Sequence, residues 1–255
     1  MHVHLPDLSG LVLVYLLVFA RTGAMVMLLP AIGETSVPPL VRLVLALAIS
    51  LSLAPTVESA YPQTAPASSM ALGLLIAQEA TAGILVGTMA RIIMSALQIA
   101  GTLIATHTGL AYAQTVDPTS HGEQSAIIGN FFSLLAVVVI FATNLHHLAI
   151  GAVAGSYHLI PPGGTLPTGD MAELTIRLVS GSFALGFQLA APFLVFSFAL
   201  SAGLGVLARL MPQLQIYMMA MPVNIIVGFI LMSLILGSLM TLFLNFYTGQ
   251  MGSFL

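Results

Sequence analysis

Long apolar runs alternate with short polar connections along this chain, and the lengths of the runs carry the first information. Leu11 to Leu29 is long enough to cross a bilayer and is ended by Pro30 and Gly33. The turn GETSVPP leads to a second run, Leu40 to Ala54, closed by Pro55. The stretch TVESAYPQTAPASS is a polar, Pro/Ser-rich loop, and from Met70 to Thr106 the chain is apolar almost without a break. After GLAYAQTVDPTSHGEQS comes a fourth run, Ala126 to Leu145, then the Pro/Gly loop HLIPPGGTLPTGDM. Two further runs, Ala172 to Leu210 and Leu214 to Phe246, complete six hydrophobic stretches, each predicted to be helical.

Three of these runs are longer than a membrane requires. As one helix, Met70 to Thr106 would extend roughly 55 Å, whereas a bilayer core is about 30 Å thick. The last two runs are similarly long and hold Pro192 and Pro222 in their interiors, where proline opens the helix ladder and kinks it. The expected fold is therefore all-α and membrane-associated, made of long kinked helical hairpins packed on other protein.

Polar residues inside the runs point the same way. Arg21 lies in the first run, and Gln78, Glu79, Arg91 and Gln98 lie in the third. An ionised group at a bilayer centre costs about 2.5–3.5 kcal/mol on insertion scales, so Arg21, Glu79 and Arg91 are expected to be buried charges. Glu79 and Arg91 are roughly 18 Å apart along a helix and cannot pair. Glu79 with Arg21 of a neighbouring helix is one pairing; a wet cavity or a subunit interface around each charge is the alternative. Small residues recur at four-residue spacing at Gly83 and Gly87, and at Ser201 and Gly205, as tight helix packing requires.

Composition narrows the class. Of 255 residues, 58% are hydrophobic and 5% charged, against about 25% charged in soluble domains. Lysine is absent, and with five arginines and a net charge of -3 there is no basic footprint for nucleic acid. The absence of cysteine removes disulfides, thiolate metal sites and Cys nucleophiles. MHVHLPDLSG lacks a positive leader, so the first run is expected to be retained. With six spans, Arg42 and Arg209 fall on one side and Arg177 on the other, which favours both termini outside the cytoplasm.

Candidate chemistry is thin. His146, His147 and His158 resemble half a ligand set, but adjacent histidines on a helix point roughly 100° apart and chelate poorly. Ser120, His121 and Glu123 sit together in one loop, yet successive side chains diverge and no GxSxG elbow is present. No metal, cofactor or catalytic residue is assigned, and the chain is not read as an enzyme.

Two irregular segments remain. The loop that begins at Gly109 is apolar in its first half and stiffened by Asp117-Pro118, and it either connects helices at the surface or folds inward to obstruct a channel. The corner RLMPQLQIYMMAMPVN, residues 209 to 224, has one charge, Arg209, where a solvated turn would have several. Met211, Met218, Met219 and Met221, with Pro212 and Pro222, make it soft, sticky and proline-stiffened, and residue type alone leaves open whether it is a protein interface or membrane-helix filler.

These motifs, in this order, resemble the FliR family of flagellar export-gate proteins, whose injectisome counterpart is SctT. The resemblance is carried by FARTGAMVMLLPAIG, VPPLVRLVLALAISLSLAP, QEATAG, GTLIATHTGLAYAQTVDP, NLHH, IPPGG, LAAPFLV and RLMPQLQIYMMAMPVNIIVGF. It departs in NLHH, where an Asp or Gly often precedes the histidines. The resemblance implies a FliP-like helical part over 1–171 and a FliQ-like hairpin over 172–255 with its turn near 211–214. It implies one copy in a gate built with FliP and FliQ, contacts with FlhB and FlhA and with membrane lipid, and a place in the bacterial inner membrane within the flagellar basal body.

On the same resemblance, the loop near 109–123 is a pore plug, assigned to Gly109, Leu110, Ala111, Tyr112, Gln114, Val116, Asp117, Pro118 and Gly122. Arg209, Met211, Pro212, Gln213, Leu214, Met218, Met219, Met221 and Pro222 form the cytoplasmic hairpin turn and subunit interface. The implied function is to pass unfolded flagellar proteins outward and hold the pore shut at rest. The rival readings are a small-molecule secondary transporter, whose broken helices and midplane charges Arg21 and Glu79 would mimic, and an intramembrane hydrolase using the histidines.

Overall fold

The computed structural model describes residues 8–30, 32–33, 37–61, 68–111, 127–164, 168–211 and 216–252; for Leu8, Ser9, Thr168 and residues 216–219 it describes the backbone alone. Seven α-helices and no strand occur among them. They are α1 (Leu8–Val26), α2 (Pro39–Val57), α3 (Ser69–His107), α4 (Ile127–Ala142), α5 (His146–Leu159), α6 (Thr168–Leu210) and α7 (Ile216–Gly252), with a single 3-10 turn at Glu58–Ala60. Four of the helices, α2, α3, α6 and α7, are long and apolar enough to cross a membrane, or five spans result if α4 and α5 form one broken span. The all-α membrane class is therefore observed.

The long runs do form single long helices: 39 residues in α3, 43 in α6 and 37 in α7. Pro192 and Pro222 lie inside α6 and α7. Two details differ from expectation. Pro55 does not close α2, which continues to Val57; at the last turn a proline forfeits a ladder bond with little helix left beyond it to redirect. The fourth run does not reach Leu145 as one helix. It stops at Ala142, and Asn144 takes a left-handed φ of 58° before α5 begins. Asparagine tolerates that conformation better than other non-glycine residues.

Contacts divide the chain into two compact units, Met1–Ile93 with Ile140–Leu178 and Thr248–Leu255, and Met94–Val139 with Val179–Tyr247. In the first, α1 packs along α2, and α5 lies against both. The first half of α3 approaches α1 through glycine: a Cβ on Gly83 would overlap the carbonyl of Arg21, and one on Gly87 would come within 2.6 Å of Leu28 Cβ. Leu17, Val18, Met25, Ala82, Val86 and Met89 fill the interior there. In the second unit, α3 crosses α4 where Gly101 meets the backbone of Gly129, and Gly186 of α6 abuts Ile99. A buried stripe of Ile128, Phe132 and Ala136, every fourth residue, faces inward on α4.

Several hydroxyls on these helices are satisfied locally. Ser50, Ser52, Thr81, Thr88 and Thr102 each donate to the carbonyl four residues earlier, as a segment in an apolar medium requires. Much of the apolar surface has no cover in this chain. The most apolar stretches of α2, α6 and α7 are 17% buried, against 56% in α3, so α3 is the most covered of the four and the exposed faces of the others are left for lipid or other protein. The Ser201/Gly205 pair is part of that open surface, with nothing within 4 Å of a Cβ on Gly205.

Gly83→Ala should destabilise the detergent-solubilised protein by roughly 1–3 kcal/mol through overpacking against α1. Gly205→Ala should be neutral or slightly stabilising, because alanine is the better helix former. Paired thermal-unfolding curves check the opposite signs.

Candidate functional site

One buried polar cluster dominates the first unit. Arg21 of α1 and Glu79 of α3 are both fully buried and meet through two hydrogen bonds, Nε to Oε2 at 2.7 Å and Nη2 to Oε1 at 3.1 Å. The remaining reach of the guanidinium goes to α5 and the residue that follows it, where Nη1 donates to Ser156 Oγ at 3.0 Å and Nη2 to the Ile160 carbonyl at 2.9 Å. Four of its five N–H groups are thereby used, a pattern only the arginine fork can serve. Arg21 Cζ also stands 3.9 Å over the Tyr157 ring.

The carboxylate side is completed by Tyr61, whose hydroxyl donates to Glu79 Oε2 at 3.0 Å. Its ring meets Tyr157 edge to face, with centroids 6.0 Å apart. Burial pushes the Tyr61 hydroxyl up from its ordinary pKa, and Tyr157 and Glu79 reinforce the shift. It therefore stays a neutral donor. The cluster clamps α1, α3, α5 and the residue after the 3-10 turn together. Gln78, the residue before Glu79 on α3, donates to the carbonyls of Gly164 and Pro161 and so ties the IPPGG turn, in which Gly163 has φ of 74°, to the same helix.

Arg91 is a correction. Expected to be a buried charge, its side chain is exposed, and Nε donates to the carbonyl of Leu28 at 3.0 Å. Leu28 lies in the turn after α1, where carbonyls lack helical partners, so a charged donor at the surface caps a helix end there. Arg42 reaches the same turn through Met27 Sδ.

A second cluster lies in the other unit, at the C-terminal end of α3. The carbonyl of Ile104 accepts from Thr108 N and Oγ1, that of Thr106 from Gly109 N, and that of His107 from Asn224 Nδ2 of α7 at 3.2 Å. Gly109 has φ of 80° and sits beside Asn224 and Met221. The structure thus brings Gly109, the start of the loop assigned above, to a methionine of the sticky corner. Leu110 and Ala111 are half-buried. Tyr112, Gln114, Val116, Asp117, Pro118 and Gly122 lie outside the described residues, as do Ser120, His121, Glu123, Pro212, Gln213 and Leu214. Met218 and Met219 lie in α7. Arg209, Met211 and Pro222 are exposed, and Met221 is half-buried.

His146 stacks on Phe141 at 4.9 Å, and His147 Nδ1 lies 3.0 Å from the Asn144 carbonyl. These contacts belong to the helix break. Tyr61, Ser156, Tyr157 and Asn224 were not singled out from sequence. Asn224 alone left a signal, as an amide set in the apolar run MPVNIIVG.

Arg21→Met or Glu79→Gln alone strands a buried charge or its partner and should destabilise by roughly 3–5 kcal/mol. The double replacement Arg21→Met/Glu79→Met should recover a large part of that loss. Thermal unfolding of the three variants in detergent checks it.

The family described as bacterial export proteins, family 1, matches residues 12–249. The flagellar biosynthetic protein FliR of Caulobacter vibrioides is 39% identical over 88% of this chain and 88% of its own length. That of Bacillus subtilis is 30% identical over 86% of this chain and 84% of its own. The Yop proteins translocation protein T of Yersinia pestis is 27% identical over 60% and 59%. Matched from residue 12 to residue 249 and collinear with FliR proteins over most of both lengths, the chain belongs to the FliR family of bacterial export proteins.

Proposed function

We propose that this chain is a channel-forming structural subunit of the flagellar type III export gate. It helps to build the conduit through which unfolded flagellar proteins leave the cytoplasm, and it performs no chemistry of its own. The observation that carries this reading is the mismatch between helix length and cover. Three helices of spanning length, α2, α6 and α7, bury only 17% of the apolar stretches that would span a membrane within the chain. A protein that works alone in lipid has no use for 43-residue and 37-residue arms; a subunit packed among similar helices does.

The FliR proteins of Caulobacter vibrioides and Bacillus subtilis, matched at higher identity and coverage than the Yop translocation protein, favour the flagellar over the injectisome system. The partners proposed are FliP and FliQ in the same gate, FlhB and FlhA at its cytoplasmic side, and lipid where the assembly meets the inner membrane of the basal body. Residues 1–171 are proposed as the FliP-like part and 172–255 as the FliQ-like hairpin. The segment 109–123 is proposed as the plug that closes the pore at rest, and the corner at 209–222 as the cytoplasmic interface. Saturation of Arg21 and Glu79 by neighbouring groups supports a structural role for these charges rather than one in solute coordination.

Co-expression with FliP and FliQ, followed by mass measurement of the detergent-purified material, tests the proposal. One defined assembly holding a single copy of this chain is expected. A monodisperse protein that ignores both partners would overturn the reading.

A further inference from the structure

The end of α3 is held by α7 in a way that ordinary helix packing does not require. Asn224 Nδ2 donates to the His107 carbonyl at 3.2 Å, which caps the last turn of α3 from another helix. Asn224 Oδ1 is buried and has no partner among the described residues, so that bond is the amide's anchoring contact there. One turn further along α7, Gly228 forms a notch for Thr108. A Cβ at Gly228 would come within 2.6 Å of Thr108 Cγ2 and 2.9 Å of its Cβ. Ile225, Phe229 and Met232 of α7 line a small recess with Leu110. On the opposite flank, His107 Nδ1 lies 3.3 Å from Ser197 Oγ of α6.

We propose that Asn224 and Gly228 are positioning residues. They set where α3 ends, and with it the direction in which the chain leaves at Gly109 to enter the 109–123 segment. The cap fixes the axial position of the last turn, and the notch fixes its rotation, because Thr108 fits only where α7 has no side chain. Gly109, at φ of 80°, then redirects the backbone from a fixed point. Both contacts lie within two turns of Met221 and Pro222, so a shift of the corner at 209–222 moves the stem of the segment with it. The functional consequence rests on the plug reading above; the positioning itself does not.

The chain has no cysteine, so Ala111→Cys supplies a single reporter thiol in the gate assembled with its partner proteins. The rate at which a water-soluble maleimide labels that thiol on this chain reports how the stem is held. Asn224→Ala and Gly228→Ala are each expected to change the rate several-fold. Asn224→Asp should change it more, since it sets a carboxylate against the negative end of a helix. Thr108→Ala, which removes the nearer clashing atom, should bring the Gly228→Ala rate back towards the parent's. Unchanged rates, a Gly228→Ala effect that Thr108→Ala does not relieve, or loss of all three variants from the complex would overturn the proposal. Ion leakage at rest, measured in parallel with a deletion of residues 109–122, reads the plug separately. A tight pore after the deletion would sink the plug reading while the labelling rates still decide the positioning role.

Discussion

The ion pair between Arg21 and Glu79 is the constraint around which the first unit is arranged. Two opposite charges with no exposed surface are tolerable only if nearly every donor and acceptor is matched. That demand determines the neighbours: Ser156 and the Ile160 carbonyl for the guanidinium, and Tyr61 for the carboxylate. It also determines spacing. Gly83 lies against the carbonyl of Arg21 itself, so the α1–α3 approach that brings the pair within hydrogen-bond reach depends on a residue with no side chain. Charge and small-residue spacing, read separately along the sequence, describe the same contact.

Much of the fold was legible because apolar run length is a strong signal, and α3, α6 and α7 lie where the long runs predict them. The helix α5 was not legible. Its sequence HHLAIGAVAGSYHL is short and rich in small residues, and the break that separates it from α4 depends on a left-handed Asn144 that no Gly or Pro announces. Arg91 misled for a related reason. A charge within an apolar run looks buried, yet α3 outlasts its neighbour, and the residue lies level with the end of α1, where open carbonyls await a donor. The tyrosines escaped notice because Tyr61 and Tyr157 are nearly a hundred residues apart and only the fold makes them partners.

The second unit uses the same grammar with a different outcome. Gly101 against Gly129, Gly186 against Ile99 and Gly228 against Thr108 let the helices approach closely without charge. Gln98 reaches Ser133 and Asn130 as a neutral counterpart of the ion pair. The faces that carry Val195, Phe198 and Leu234 stay open, each at least 70% exposed. A chain so closely packed at its glycine contacts and so bare on its outer faces is suited to be one member of a larger helical assembly, which is what a subunit of an export apparatus must be.

The most direct measurement of the central claim, that exported protein passes along this chain, is site-specific photo-crosslinking from Leu110 in cells where a flagellar export substrate has been stalled in transit. The account predicts an adduct between position 110 and the stalled substrate, and none from Leu234 on the open face of α7. Adducts absent from position 110, or formed equally from both positions, would contradict it.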